Sequence, residues 1–165
     1  MADSILYYRT ASTDQGTTAN PEDLPSNQKL TFTVPSNVLE VVDEVYTNNI
    51  IDIPVPISDG TRKINKQDNG LSSYTFTING LLENPTSNLA MLNTLRTTQQ
   101  VTPEHPFGCI GFYSPNAPQF SIDPNANGST SATKGLTIQS TRVGFAGQRK
   151  RKYGFSVTLS FGGTL

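Results

Sequence analysis

Four consecutive basic residues, Arg149, Lys150, Arg151 and Lys152, form the densest cluster of charge in the sequence. Guanidinium and ammonium groups at this density can bind the phosphates of a nucleic acid or the carboxylates of a protein partner. The run follows a Gly-bounded turn and precedes alternating apolar residues, so its side chains are expected on both faces of a hairpin. This favours a hydrated hairpin tip whose charges discourage edge-to-edge aggregation. The alternative is a tip that binds a partner or contacts phosphate.

The other side chains with chemical potential form no catalytic pattern. His105 stands next to Glu104, but no nucleophile motif accompanies them, so a loop histidine is the simpler interpretation. The single cysteine, Cys109, is flanked by Phe107 and Ile110, which indicates a small buried thiol and excludes an intramolecular disulfide.

The carboxylates also lack the spacing of a site. Asp43 and Glu44 are neighbours, and neighbouring residues on a strand point to opposite faces, which argues against a glycosidase pair. Asp52 and Asp59 do not match a calcium-loop pattern. No phosphate-binding loop, nucleophile elbow or Cys/His metal spacing is present. We therefore expect neither an enzyme nor a bound metal or cofactor.

Composition indicates one mainly β domain. The chain has 165 residues, 15% of them charged, and a net charge of −1, so it lacks the basic field of nucleic-acid modules. Thr, Ser, Asn, Gly and Pro are abundant, which is typical of strands joined by many turns. The start of the sequence lacks a signal-peptide pattern and no apolar run is long enough to span a membrane. Synthesis in the host cytoplasm without membrane insertion is the expectation.

The first segment, residues 1–29, is predicted to be an arm. Residues 10–26 are polar, contain two prolines and show no apolar period. Before them stand four apolar residues that are expected to dock at a subunit interface: Ile5, Leu6, Tyr7 and Tyr8.

The remaining residues, 30–165, are predicted to form the domain. Period-two alternation predicts several strands, and two prolines place the strand of residues 51–57 at a sheet edge. An apolar sector beginning near Pro85 predicts a single helix. The predicted elements are strands at residues 30–34, 36–49 (weakly favoured over a helix), 51–57 and 71–78, the helix at about 85–98, a possible short strand within 108–120, a flexible loop at about 123–135, and a final hairpin at 136–161.

Two stretches together carry a resemblance. "YTFTINGLLENPTSNLAMLNTLRTT" and "LTIQSTRVGFAGQRKRKYGFSVTLSFGG" resemble contractile-phage tail proteins of the tail protein U family, in which a strand and a helix precede a final hairpin whose tip carries G-x-x-R-K. The matching positions cover about half of the chain: residues 74–80, 89–95 and 155–159, with Gly147, Arg149 and Lys150 at the tip. The N-terminal arm and residues 101–135 have no counterpart.

The resemblance implies a fold and an assembly. It implies an antiparallel β-sandwich or barrel of the tail-tube type with one flanking helix, and a homo-oligomeric ring, usually of six, around a DNA channel in the virion tail. Implied partners are other tail-tube, sheath or baseplate hub proteins, with only transient, non-specific DNA contact. With this resemblance, the basic run Arg149 to Lys152 is expected at a subunit interface, where it could bridge to an acidic patch on an adjacent subunit or ring. A carbohydrate- or receptor-binding β-sandwich of a virion is the alternative, with Phe112, Tyr113 and Phe120 as stacking residues.

Overall fold

Seven strands form one antiparallel sheet in the order β2-β1-β5-β6-β7-β4-β3. The computed structural model describes residues 3–9, 20–32, 41–56, 62–82, 85–115, 117–124, 134–145 and 153–163. Two 3-10 turns, Pro21–Asp23 and Pro118–Phe120, accompany the main elements. These elements are β1 (Ser4–Tyr8), β2 (Lys29–Phe32), β3 (Val41–Pro56), β4 (Arg62–Leu82), α1 (Pro85–Thr97), β5 (Ile110–Tyr113), β6 (Lys134–Phe145) and β7 (Tyr153–Gly163). The mainly β fold with one helix is confirmed.

The predicted final hairpin is confirmed as β6 and β7. Its ladder runs from the Lys134–Gly163 pair to the Phe145–Tyr153 pair, with an irregularity after Ile138. Along β7, apolar residues alternate with Ser and Thr. The apolar residues therefore face the core, and the Ser and Thr residues face outward. The buried set is Phe155, Val157 and Leu159.

The sheet folds back on itself around the core. β5 and β6 share only the Ile110–Leu136 pair, so the ladder is narrow at this point. The Phe76 ring on β4 nevertheless lies 5.9 Å from the Phe112 ring on β5, although two strands separate β4 from β5 in the sheet. Because neighbouring strands lie about 4.8 Å apart, a flat sheet would keep these rings much farther from each other. The β1 and β5 side therefore packs over β4 and β7.

The helix α1 begins at Pro85 and ends at Thr97, close to its predicted bounds. Leu92 and Leu95 are buried in the main core cluster, and Leu89 and Met91 pack against it. Packing of this apolar sector holds the helix against β2 and β4.

The beginning of the predicted arm lies inside the sheet. β1 pairs with β2 on one side and with β5 on the other, so residues 4–8 form an interior strand. The arm prediction was wrong for these residues because four apolar residues followed by a polar stretch do not reveal which distant strands will flank them. Residues 10–19 lie outside the described part of the chain.

A close crossing of three glycines closes one end of the sheet. Gly108 has a φ of 116°, a conformation that side chains rarely adopt, and a Cβ at this position would collide with the carbonyl oxygen of Leu136. A Cβ on Gly135 would collide with the carbonyl oxygen of Gly108, and one on Gly162 would lie 2.8 Å from the carbonyl oxygen of Phe107. The segment 107–109 thus lies directly against the beginning of β6 and the end of β7.

Candidate assembly surface

The strands β3 and β4 continue beyond the rest of the sheet as a two-stranded ribbon. β4 pairs with β7 only from Thr75 to Leu82, whereas it pairs with β3 along nearly its whole length. Residues 46–56 and 62–74 form this ribbon, which within the described residues has no third strand. Its length is roughly 35 Å at the usual rise per residue.

The ribbon carries large apolar side chains that are open to solvent on both faces. Beyond the register shift between Asn48 and Ile50, alternation along β3 puts Ile51 and Ile53 on one face, with exposed fractions of 47% and 40%, and Ile50 on the other, 50% exposed. Val45 and Tyr46, 55% and 51% exposed, lie at the base of the ribbon, before that shift. We call Ile51 and Ile53 the ribbon face. Such a concentration of exposed aliphatic residues is uncommon on a monomer.

The charged groups of the ribbon are hydrated. Lys66 Nζ lies 3.2 Å from Asp52 Oδ1 across the two strands, and both side chains are more than half exposed. An ion pair of this kind contributes little to stability because water screens it. Asp52 and Lys66 lie on the face opposite the ribbon face. Beyond Val45, the described part of β3 has no charged residue on the ribbon face.

Two prolines mark the free edge of the ribbon. β3 is the last strand of the sheet, which confirms the edge position predicted from Pro54 and Pro56. Proline has no N–H, so such residues are tolerated where the missing donor would face away from the ladder. The distal part of the edge therefore lacks two donors that an added strand would need.

A second exposed apolar patch lies on the segment between α1 and β5. Val101 is 52% exposed and Phe107 is 39% exposed, and we call this pair the loop shelf. Gln100 accepts a hydrogen bond from the backbone N–H of Ile138 on β6, and Phe107 lies against Gly162 on β7. The shelf is thus attached to the sheet at the end from which the ribbon extends.

The four apolar residues predicted to form a subunit interface lie within the chain's own fold. Ile5, Leu6 and Tyr7 are at most 2% exposed, and Tyr8 is partly buried against the main core. β2 and β5 occupy both edges of β1, so the first three side chains have no surface to offer a second chain. The other predicted interface residues, Arg149, Lys150, Arg151 and Lys152, lie outside the described residues.

A partly buried ion pair, which no local sequence pattern indicates, joins the end of β1 to the segment after β5. Arg9 Nη2 lies 2.9 Å from Asp123 Oδ2, and Arg9 Nε lies 3.2 Å from Asp123 Oδ1. The Arg9 guanidinium also stacks 5.2 Å from the centre of the Tyr7 ring. Burial raises the pKa of Tyr7 well above its ordinary value, Asp123 adds to the rise, and Arg9 opposes it. The phenol is therefore neutral, and the cluster holds strands together without an available acid or base.

The two remaining candidate chemical groups are internal. Cys109 is a free buried thiol that donates to the carbonyl oxygen of Gln99 at 2.9 Å, which confirms the predicted core role. Burial raises the pKa of Cys109 to about 11, so the thiolate nucleophile is scarce at neutral pH. His105 lies in a loop as predicted, but it is buried, and its backbone N–H donates to Thr102 Oγ1 at 3.0 Å.

The aromatic residues of the sugar-binding alternative do not form an exposed platform. Phe112 is completely buried, and Phe120 packs against the core with its ring 6.2 Å from that of Phe76. Tyr113 is partly buried beside the smaller cluster of Ile5, Tyr7 and Leu24. Stacking on a sugar ring requires an open aromatic face, which Phe112 does not have.

Within the described part of the chain, no group of three or more His, Cys, Asp or Glu side chains is placed to hold a metal ion. None of the helices described has the length and apolar character needed to cross a membrane.

Among known proteins, the chain is similar to solved structures. No protein-family model matches the chain, and no curated protein matches it. A chain in a structure described as the tail of an empty GTA particle, computed with helical refinement in C6 symmetry, is similar at a TM-score of 0.39 and 12% sequence identity. The alignment covers 76% of this chain and 78% of the other.

Proposed function

We propose that this chain is a non-enzymatic structural subunit of a bacteriophage tail or baseplate. It assembles as a homo-oligomeric ring around a DNA channel and connects the tail tube to adjacent rings in the virion. Six copies, other tail-tube, sheath or baseplate hub proteins as partners, and only transient contact with DNA are parts of this proposal. The observation that carries it is the ribbon, because it exposes aliphatic side chains on both faces and no residue in the described part of the chain covers them.

The polarity of the sheet supports assembly into a ring or stack. The ribbon extends from one end of the sheet, whereas β6 ends and β7 begins at the opposite end. Contacts between such unlike surfaces are head-to-tail, and head-to-tail contacts produce closed rings or open tubes. The resemblance of the strand, helix and hairpin stretches to tail proteins supports the choice of a tail over other assemblies.

The described groups offer little for catalysis. The Cys109 thiol is buried, Tyr7 is held neutral, and the Arg9–Asp123 pair is engaged in joining strands. A role that depends on surfaces agrees with this distribution.

Light scattering and negative-stain electron microscopy of the purified protein test the proposal. The matched variant lacks residues 48–72, with Thr47 joined to Ser73 through an Asn-Gly turn, because these two residues are paired across the ribbon. We expect rings or short tubes of the wild-type chain at high concentration and a folded monomer of the truncated chain. A wild-type chain that stays monomeric at high concentration, both alone and with purified tail-tube protein, would overturn the proposal.

A further inference from the structure

A row of aromatic residues crosses the sheet at the base of the ribbon. Tyr46 on β3 pairs with Tyr74 on β4. The Tyr74 ring lies edge-on to the Phe161 ring on β7 at 5.8 Å, and its centre is 6.0 Å from the Phe76 ring. The core therefore holds Tyr74 in place, whereas Tyr46 is 51% exposed. The row is thus open to solvent at β3.

A carboxylate lies beside the open end of this row. Glu44 is exposed and stands two residues before Tyr46 on β3, so the two side chains share a face of the sheet. Burial raises the pKa of Tyr74, and Glu44 adds to the rise through its negative charge and through a hydrogen bond that the phenol donates to it. None of the described cations forms an ion pair with Glu44. We call Glu44, Tyr46 and Tyr74 the tyrosine site.

The chemistry of the tyrosine site favours a guanidinium group as its ligand. The face of a tyrosine ring attracts a cation, and a carboxylate that accepts one hydrogen bond can accept more. A guanidinium stacks flat on a ring and donates two parallel hydrogen bonds to a carboxylate, whereas an ammonium acts as a point charge. The densest cluster of cations in the sequence, the basic run Arg149 to Lys152, contains two arginines. The chain therefore supplies a ligand of the favoured kind.

The basic run of a chain does not reach the tyrosine site of the same chain. The run connects Phe145, near the end of β6, to Tyr153, at the beginning of β7. Tyr153 and Phe161 lie eight positions apart on β7, which is roughly 27 Å at the usual rise per residue. Arg149 is four residues from either strand, so its backbone extends at most about 14 Å from them. Its ligand must therefore come from another molecule.

Stacking of copies brings a run and a site together. The tyrosine site lies at the end of the sheet from which the ribbon extends, and β6 and β7 lead into the run at the opposite end. Copies that stack with the same polarity put these unlike ends in contact. We propose that the tyrosine site binds an arginine of the basic run from a copy in the adjacent ring. The inference rests on the proposed function and specifies its axial contact.

Complementation between two variants tests this contact. Glu44→Gln/Tyr46→Ser removes the site and keeps the run, whereas Arg149→Gln/Arg151→Gln removes the arginines and keeps the site. Each chain is assembled separately, and the products are examined by sedimentation velocity and negative-stain microscopy before and after mixing. We expect stacked rings of the wild type and single rings of each variant. The mixture should give pairs of rings, because only one intact contact is available between unlike rings.

The matched control is Asp52→Asn, which also removes a carboxylate from β3 but lies in the distal part of the ribbon. It should stack like the wild type, and equal loss of stacking in this control would overturn the inference in favour of general charge attraction. Wild-type rings that do not stack, or stacks that survive both double variants, would overturn the inference and leave the proposed function standing. Absence of rings, alone and with purified tail-tube protein, would overturn the proposed function instead.

A peptide measures the tyrosine site without any assembly. Fluorescein-labelled GQRKRK, residues 147–152, is titrated with the Arg149→Gln/Arg151→Gln chain and followed by fluorescence polarisation. Adding Glu44→Gln to that chain should weaken binding at least about tenfold, as expected for a lost hydrogen bond between charged groups. Adding Asp52→Asn should not, and a peptide with lysine at both arginine positions should bind less tightly. Circular dichroism of each chain verifies the fold.

Two results of the titration would overturn the inference. One is unchanged affinity of the peptide for the chain that carries Glu44→Gln. The other is absence of peptide binding together with binding of a sugar from a glycan panel that Tyr46→Ser abolishes, which would assign the tyrosine site to carbohydrate recognition.

Discussion

One part of β4 lies in the body of the sheet and the other part lies in the ribbon. Apolar residues are buried around the first part and exposed around the second. In the body of the sheet, Phe76 and Ile78 are 1% and 0% exposed because β7 and the core cover them. In the ribbon, Ile50 and Ile51 on the paired strand are 50% and 47% exposed. The alternating pattern is of the same kind in both parts. Burial depends on whether a third strand and a packed layer are present, and a two-stranded unit alone is only marginally stable.

The largest expected difference in stability is between removing an apolar side chain from the body of the sheet and removing one from the ribbon. Phe76→Ala should lower the free energy of unfolding by about 3–5 kcal/mol, because it leaves a cavity next to Phe112 and Phe120. Ile51→Ala should change it by less than about 0.5 kcal/mol in the monomer. Urea unfolding at low protein concentration measures both. Equal losses would show that the ribbon face is covered within a single chain.

Two glycine-to-alanine substitutions extend this comparison of stability to the backbone. Gly108→Ala should cost about 3 kcal/mol, since it combines a positive φ with a collision against the Leu136 carbonyl. Gly144→Ala, where a Cβ meets nothing within 4 Å, should be neutral or slightly stabilising. Thermal unfolding of the two variants provides the test. A tolerated alanine at Gly108 would mean that the crossing is looser than described.

The loss of stability on breaking an ion pair should also be larger in the body of the sheet than in the ribbon. Asp123→Asn should lower stability by about 2 kcal/mol, because Arg9 has a 2% exposed side chain and would remain charged beside a neutral partner. Asp52→Asn, which removes the exposed partner of Lys66, should have no measurable effect. Denaturant midpoints at low and high salt distinguish the two. A salt-sensitive loss at Asp52 would indicate that the ribbon carries more electrostatic stability than its exposure suggests.

The smallest expected effect is a pH dependence from Cys109. Its folded pKa is raised by burial from 9.0 to about 11, so the thiol contributes stability that is present below about pH 9 and lost as the pH rises through about 11. The wild type should therefore lose stability in this window more steeply than Cys109→Ala. Comparing the two chains cancels the contribution of Tyr7, whose pKa is raised in the same direction. Parallel pH profiles would contradict a buried neutral thiol.

Local signals in the sequence predicted much of the body. The alternation of Tyr74, Phe76 and Ile78, the final hairpin, the helix near Pro85 and the edge position of Pro54 and Pro56 all depend on period and on backbone chemistry that acts over a few residues. The buried Cys109 followed from its apolar neighbours. These features need no knowledge of distant contacts, and the structure confirms them.

Long-range pairing explains what the sequence did not predict. The Arg9–Asp123 pair joins residues 114 positions apart. The interior position of β1 depends on β2, which is near it in the sequence, and on β5, which is far from it. The candidate assembly surface was missed for the same reason. The strand of residues 51–57 was predicted at a sheet edge and the strand of residues 71–78 was predicted as well, but only the point at which β7 stops pairing with β4 shows that this part of the chain extends beyond the sheet.

The continuity of β4 also has a mechanical consequence. A pull on the ribbon along its axis is carried by the same backbone into the ladder with β7, where the hydrogen bonds lie perpendicular to the strands. That geometry loads the whole ladder from Thr75 to Leu82 in shear, so its bonds must yield together instead of opening one after another. In an assembly that transmits force between copies, the ribbon is therefore anchored in the loading direction that a sheet resists best.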